Sequence, residues 1–400
     1  MWAIPIQHTD IRTMKLEGIR VLDLSNFLPG PHLTMMMADH GAEVIRIEPP
    51  GGEPNREIGK KYQDGTSVYF SGTHRGKQSV MLDFKKPGAV DAFLRLAKQA
   101  DVVLESFRPG VVDRLGIGYQ AVRAVNPRIV YCSIAAYGQT GPFVKRVAHD
   151  MSVQAECGLL DLSRGSDGAP VMPSVPSADL AASLMALSGI LMALLRRTTT
   201  GAGDYIDIGM HDSLTAWMAN IVSPVFAENR ELVAKEERTF GGYAFYNVYR
   251  CADGKYLTMG GSEIKFAGNV LTALGRPDLI DICKEPPGPV HDPVKKFLAD
   301  TFATQPLAHW EALLDKIDCC WAPVKQVREG LMSAQVAARK LKIDYPDGTS
   351  HLGIPIKFAA EPGKVNPKAP ALGEHTGQAL SAAGFNAAEI ALLRADGAIR

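Results

Sequence analysis

Three residues, His149, Asp179 and Glu263, stand at the edges of apolar segments, where a side chain can face a ligand while its backbone is anchored. His149 and its neighbour Asp150 follow the Gly141-Pro142 turn and open a helix-like segment. Asp179 opens the apolar run Leu180–Leu195, and Glu263 follows the Gly260-Gly261 turn. An imidazole titrates near neutrality, so it can take up and return a proton at physiological pH. A carboxylate can do the same, or can act as a nucleophile. Each residue also has a purely structural use. An acid at a helix start accepts backbone N–H groups and favours the helix dipole, a lone histidine is commonly a satisfied polar group, and an acid in a glycine turn is commonly a solvated charge. The residues alone leave both uses open.

Familiar catalytic constellations are missing. Gly116-Ile117-Gly118 lacks the third glycine of a dinucleotide fingerprint and follows no strand, and the chain has no P-loop, His-Glu-x-x-His or Gly-x-Ser-x-Gly word. Cysteines at 132, 157, 251, 283, 319 and 320 have no Cys-x-x-Cys spacing, and the neighbours Cys319 and Cys320 are poorly placed to pair with each other. A reduced cytoplasmic protein is expected, with no structural metal and no NAD or pyridoxal phosphate.

The elements that position these residues alternate. Strand-like runs at Ile19–Leu24, Glu43–Glu48, Gln78–Asp83, Asp101–Glu105 and Ile129–Ile134 are separated by helix-like stretches at His32–His40, Pro87–Gln99 and Tyr119–Ala124, with Pro29-Gly30-Pro31 read as a tight loop. Alternation of this kind predicts an α/β fold with a parallel sheet, because parallel strands need crossover connections. Such sheets bind ligands beyond the carboxyl ends of their strands, which directs attention to the loops after Leu24, Glu48, Glu105 and Ile134. From Val147 to Trp217 the reading is helical, broken between Arg164 and Pro176. A polar stretch follows, then a hairpin turning at Asp253-Gly254, then helices to about Lys340. A Pro-containing strap and a helix near Asn386–Arg394 end the chain. The expected domains are a large one over 14–220, a linker over 221–240, a small one over 241–330, and a linker with a C-terminal return over 331–400.

With 43 basic and 43 acidic residues among 400, the chain has no net charge that would draw it to nucleic acid or an anionic membrane. Hydrophobic residues at 46% and charged residues at 22% suit a globular protein with a sizeable core. Leu180–Leu195 is interrupted by Ser183, Ser188 and Gly189 and falls short of the roughly 20 apolar residues of a membrane span, so a buried helix is expected. Met1–Lys15 carries charges and Pro5 and lacks the pattern of a secretory leader.

The words Leu16–Leu24, Pro29-Gly30-Pro31, Ala38–Glu48, Arg75-Gly76-Lys77, Phe107-Arg108-Pro109-Gly110 with Arg114-Leu115-Gly116, Asn126-Pro127-Arg128 and Tyr137–Pro142 occur in order between residues 16 and 142, within a likeness that runs to about residue 345. Together they resemble the family III CoA-transferases, which also include the α-methylacyl-CoA racemases. The resemblance implies a large Rossmann-like domain and a small α+β domain in an interlocked homodimer. It implies CoA or acyl-CoA as substrate, and a carboxylic acid acceptor where transfer is the reaction. Asp179 would be the nucleophile, attacking the acyl-CoA thioester to form a mixed anhydride and then an aspartyl-CoA thioester. In racemase-like members the equivalent Asp works with a His on the opposite face of the α-carbon. His149, thirty residues upstream of Asp179, and Glu263 match that arrangement, whereas Gln154-Ala155 before Gly158-Leu159 looks more like the transferases. Transfer is therefore the first reading, racemisation the second, and CoA binding without turnover a third. The resemblance places Arg75, Lys77 and Arg114 beside the CoA phosphates and Phe27 and Tyr137 among the CoA contacts. Pro49 stands where many members have an arginine, which shifts weight to Arg46 or Arg108.

Overall fold

The computed structural model describes residues 14–165 and 167–400. The expectation about the N-terminal stretch falls largely on residues 1–13 and so lies outside the described residues. The chain forms two compact units, one built from the chain up to Cys157, Ser174–Met218 and Ala337–Arg400, the other from Gly158–Pro173 and Ala219–Val336. This differs from a simple succession of domains. Residues 158–173 belong with the second unit, where Lys235 Nζ donates to the Gly165 carbonyl. The expected linker 221–240 carries its own helix, Ser223–Glu228.

The first unit contains, in chain order, β1 (Arg20–Leu24), α1 (Pro29–Asp39), β2 (Glu43–Glu48), α2 (Val68–His74), β3 (Gln78–Met81), α3 (Ala89–Lys98), β4 (Val102–Glu105), α4 (Val111–Arg114), α5 (Tyr119–Val125), β5 (Val130–Ala135), α6 (Asp150–Glu156), α7 (Ser177–Thr200), β6 (Asp204–Gly209) and α8 (Met210–Trp217). The six strands pair in parallel in the order β3-β2-β1-β4-β5-β6. Strands covered on both faces read as continuous apolar runs, and Val21, Leu22, Val102, Val103 and Leu104 are fully buried. Winding reverses between β1 and β4, so their connections leave in opposite directions and a crevice opens beyond their carboxyl ends.

Two local features depart from the sequence reading. Pro29-Gly30-Pro31 is the first turn of α1 rather than a loop, with proline at the position where a missing N–H costs nothing. Gly30 is required there because a β-carbon would lie 2.0 Å from Ser25 Oγ. Residues 204–209, expected within a helical region, form the edge strand β6; its exposed Asp204 and Asp207 obscure the apolar run that marks the inner strands. The chain enters it through Gly203, whose β-carbon would fall 1.8 Å from the Ile129 carbonyl oxygen.

The apolar run extends at both ends into α7, 24 residues long, which packs on α1, α6 and α8. It is long and apolar enough to cross a membrane by length and composition, and only 39% of its most apolar window is buried. The expectation of a short, buried helix is corrected accordingly: Leu184, Leu191, Met192 and Leu195 face outward. The C-terminal segment completes this unit. Leu380, Phe385 and Leu393 join the core that holds Leu22, Ile45 and Phe93.

In the second unit, β7 (Tyr246–Arg250), β8 (Tyr256–Gly260) and β9 (Trp321–Pro323) form an antiparallel sheet. The Asp253-Gly254 turn joins β7 to β8 as expected, whereas β9, three residues long, carries too little pattern to be anticipated. Helices Ile264–Ala273, Asp292–Phe302 and Leu307–Leu314 close over a core that includes Leu257, Leu271, Leu298 and Phe302.

Candidate active site

A cleft of about 580 Å³ opens at the winding reversal of the first unit. Its walls are the loop after β1 (Asn26, Phe27), the loop after β4 (Ser106–Pro109) with Arg114 from α4, the end of β5 with Ala136–Gly138, the segment Val144–His149, and Asp179 from α7. Loops and helices thus bring together residues as far apart in sequence as Asn26 and Met210, 184 positions. His149, Asp179, Arg108, Arg114, Tyr137 and Phe27 all line this cleft.

Asp179 sits in the first turn of α7 but does not cap it. Asp150 does that instead, its Oδ1 accepting the N–H groups of Ala178 at 2.8 Å and Asp179 at 3.2 Å, while Gln154 Nε2 donates to its Oδ2 at 2.7 Å. The backbone N–H groups that an acid at this helix start would accept are therefore taken up by another carboxylate. Burial first, and then the nearby negative charge of Asp150, push the Asp179 carboxyl up to about 7. Among the described residues its side chain accepts no hydrogen bond. A half-buried carboxyl released from structural duty and poised near neutrality is a candidate reacting group.

His149 is exposed at the N-cap position of α6, makes no side-chain capping bond, and meets the Phe27 ring edge-on at 5.5 Å between centroids. Arg108, Arg114 and Lys145 line the cleft, and among the described residues none of the three makes an ion pair or a side-chain hydrogen bond. Arg146 beside them is engaged by Glu156 at 2.6 Å. Cations without protein partners in one concave surface suit a polyanionic ligand, since guanidinium groups match phosphate oxygens. Tyr137 is buried, and among the described residues its hydroxyl has no hydrogen-bond partner.

Arg46, Arg75 and Lys77, expected to meet phosphate, lie elsewhere. Arg46 is fully buried and donates to the Asp23 carbonyl at 3.0 Å and to Asn26 Oδ1 at 2.9 Å, with the Asp23 carboxylate 3.4 Å away. Lys77 Nζ, also buried, donates to Asp23 Oδ2 at 3.1 Å and to the Pro31 carbonyl at 3.0 Å. Burial alone would raise the Asp23 carboxyl, but Lys77 and Arg46 with the Ser25 and Thr34 hydroxyls outweigh it and hold it at about 2. Burial also brings Lys77 down to about 8, against the pull of Asp23. Arg75 pairs with Asp39 at 2.6 Å and donates to the Leu352 carbonyl. These cations have internal partners and do not line the cleft, because ion pairs taken out of water need matched partners to compensate desolvation. Glu263 lies in the second unit, exposed at the N-cap of the helix Ile264–Ala273, and is not a lining residue.

Sequence reasoning did not single out Asp150 or Lys145. The signals were present: Asp150 precedes Gln154 at helical i,i+4 spacing, and Lys145-Arg146 follows the Gly-Pro turn just before His149. Their roles depend on where α7 and the loop after β4 approach them, which no local pattern states.

The fold and cleft define an α/β protein of the doubly wound kind with an anion-suited crevice and a near-neutral carboxyl. The profile of CoA-transferase family III matches residues 16–376, and the chain belongs to that family. It is 32% identical over 379 residues to the succinyl-CoA:glutarate CoA-transferase of Mus musculus, covering 92% of this chain and 86% of that protein. It is equally 32% identical, over 391 residues, to the α-methylacyl-CoA racemase of Homo sapiens, with 96% and 97% covered. A crystal structure of a CAIB/BAIF family protein from Brucella suis superposes with a TM-score of 0.80 at 28% identity, over 93% of this chain and all of that one.

Proposed function

We propose that this protein is an acyl-CoA:carboxylate CoA-transferase in which Asp179 is the nucleophile. The observation that carries the reading is the convergence in one cleft of an unengaged, near-neutral carboxyl and the unpaired cations Arg108, Arg114 and Lys145. The cations would hold the phosphates of CoA and bring its thioester to Asp179. An Asp179 oxygen attacks the thioester carbonyl, the C–S bond breaks, and CoA leaves as the thiolate with the bonding pair. The thiolate then attacks the aspartyl carbonyl, releasing the donor acid and leaving an aspartyl-CoA thioester. The acceptor carboxylate attacks that thioester to give a second anhydride, and CoA thiolate takes the acceptor acyl group and frees Asp179. Each step is a simple acyl exchange, which is what covalent catalysis contributes. Incubating the enzyme with acyl-CoA and no acceptor should leave a hydroxylamine-sensitive adduct on Asp179. CoA exchange that proceeds with no trappable adduct would count against the mechanism.

Racemisation is the second reading, favoured by His149 lining the same cleft. Two bases are needed to remove and return an α-proton on opposite faces. The His149→Ala variant, assayed in deuterated water for CoA transfer and α-proton exchange together, separates the two. Exchange lost by about 10²- to 10⁴-fold with transfer retained would assign His149 to proton transfer; exchange at the wild-type rate would remove it from that role.

The same reading includes a homodimer. Leu184, Leu191, Met192 and Leu195 recur at helical spacing on the outward face of α7, and such a stripe needs cover. A second copy of the chain is the occupant proposed. Light scattering on the wild type and on a Leu191→Glu/Leu195→Glu variant tests it, and a monomeric wild type would refute it.

A further inference from the structure

Phe27 lines the cleft in a backbone conformation that a bulky L-residue rarely adopts, with φ of +63°. Burial does not account for it, because the residue is 41% exposed. A polar bracket holds it instead. The Phe27 N–H donates to Glu53 Oε1 at 2.8 Å, and Asn55 Nδ2 donates to the Phe27 carbonyl at 2.8 Å. Glu53 is 1% exposed; its other oxygen accepts the Asn55 N–H at 2.8 Å, and its own N–H donates to Glu48 Oε2 at 2.9 Å. Glu48 is in turn gripped by Arg56, whose Nε and Nη2 each donate at 2.7 Å. Strain of this kind persists only where the surroundings over-determine it, and it concentrates at functional sites. Its result is the position of one ring, edge-on to His149 on the wall of the cleft that also holds Asp179.

We propose that Phe27 is a specificity-determining residue, held by Glu53 and Asn55 so that its ring narrows the acyl end of the cleft and disfavours acyl groups branched next to the thioester carbonyl. This rests on the acyl-CoA reading above. The carbonyl carbon must come within reach of Asp179, so a substituent on the adjacent carbon is the part of the acyl group that meets the nearby wall. Glu53 and Asn55 act through Phe27 and are positioning residues.

The test measures dissociation constants of propionyl-CoA and isobutyryl-CoA by calorimetry on the full-length protein carrying Asp179→Asn, so that neither thioester is consumed. The parent should prefer propionyl-CoA by about tenfold, within the range a single methyl group supplies in a tight pocket. Phe27→Ala should bring the ratio close to one, Asn55→Ala should lower it part of the way, and Phe27→Tyr, which keeps the ring, should restore it. A ratio is insensitive to the fraction of protein folded. Phe27→Leu, expected to be intermediate, serves if the alanine variant does not fold. An unchanged ratio in Phe27→Ala or Phe27→Leu overturns the proposal while leaving the acyl-CoA reading intact. Failure of CoA and both thioesters to bind the parent overturns that reading, and this proposal with it.

Discussion

At the scale of single residues, the informative contrast is between two neighbouring acids. Asp150 is engaged by two backbone N–H groups and Gln154, whereas Asp179 has no hydrogen-bond donor among the described residues and a like charge nearby. The proposed nucleophile must be ionised to attack, so activity should fall as pH drops through about 7 rather than through the ordinary aspartate range near 4. An acid limb of kcat/KM near 4 would contradict this. Asp150→Asn removes the neighbouring charge while keeping an acceptor for α7, and should move that limb to lower pH. The same shift has a consequence for stability. Folding raises the Asp179 pKa, so the folded state is penalised once the group ionises: there is no penalty below about 4, where both states are protonated, and it is complete above about 7. Asp179→Asn should therefore stabilise the protein at pH 8, by roughly 1–3 kcal/mol, with the gain shrinking towards pH 5. Denaturant midpoints of the two proteins at both pH values check the sign.

At the scale of elements, the cations divide by where their strands and helices place them. Arg75 joins the end of α2 to Asp39 at the end of α1 and to the Leu352 carbonyl of the short strand Ser350–Leu352, and is 3% exposed. Arg75→Ala leaves Asp39 charged and buried and should cost about 3–5 kcal/mol of stability. Arg108, in the loop after β4, and Arg114, at the end of α4, are exposed and have no protein partner among the described residues. Arg108→Ala or Arg114→Ala should leave the denaturation midpoint nearly unchanged and weaken CoA binding by about tenfold or more, the value of a charge-assisted hydrogen bond. Calorimetric binding and chemical denaturation of the three variants, run side by side, separate the classes; equal midpoints for all three would sink the division.

At the scale of the whole molecule, the first unit is assembled from segments at both ends of the chain. The Thr376 hydroxyl accepts the Met81 N–H, the His375 ring accepts the Ser79 N–H, and Asp83 N–H donates to the Ala398 carbonyl, so the edge strand β3 continues into contacts made by the last thirty residues. Phe385 and Leu393 are buried in the main core. Removing residues 372–400 should therefore unfold this unit rather than shorten a tail. Loss of the cooperative thermal transition is the expected result, and a truncated protein melting near the wild-type temperature would refute it.

Much of this protein was legible in the sequence. The apolar runs of β1 to β5 and the intervening helical stretches follow from local pattern, because strands buried on both faces must be Val-, Ile- and Leu-rich whatever surrounds them. The ordered words from Leu16 to Pro142 point to the family, and Asp179 and His149 were nameable as candidates. The edge strand β6 was not legible, since a strand with one exposed side carries half the signal. Nor was the fate of the basic residues: Arg75 and Arg108 are the same side chain in sequence, and only the approach of Asp39 to one and the open cleft beside the other makes the first an internal tie and the second a free cation. The near-neutral carboxyl of Asp179 likewise arises first from its burial at the start of α7 and then from the Asp150 charge that α6 delivers there; both come from long-range packing and therefore belong to the tertiary structure alone.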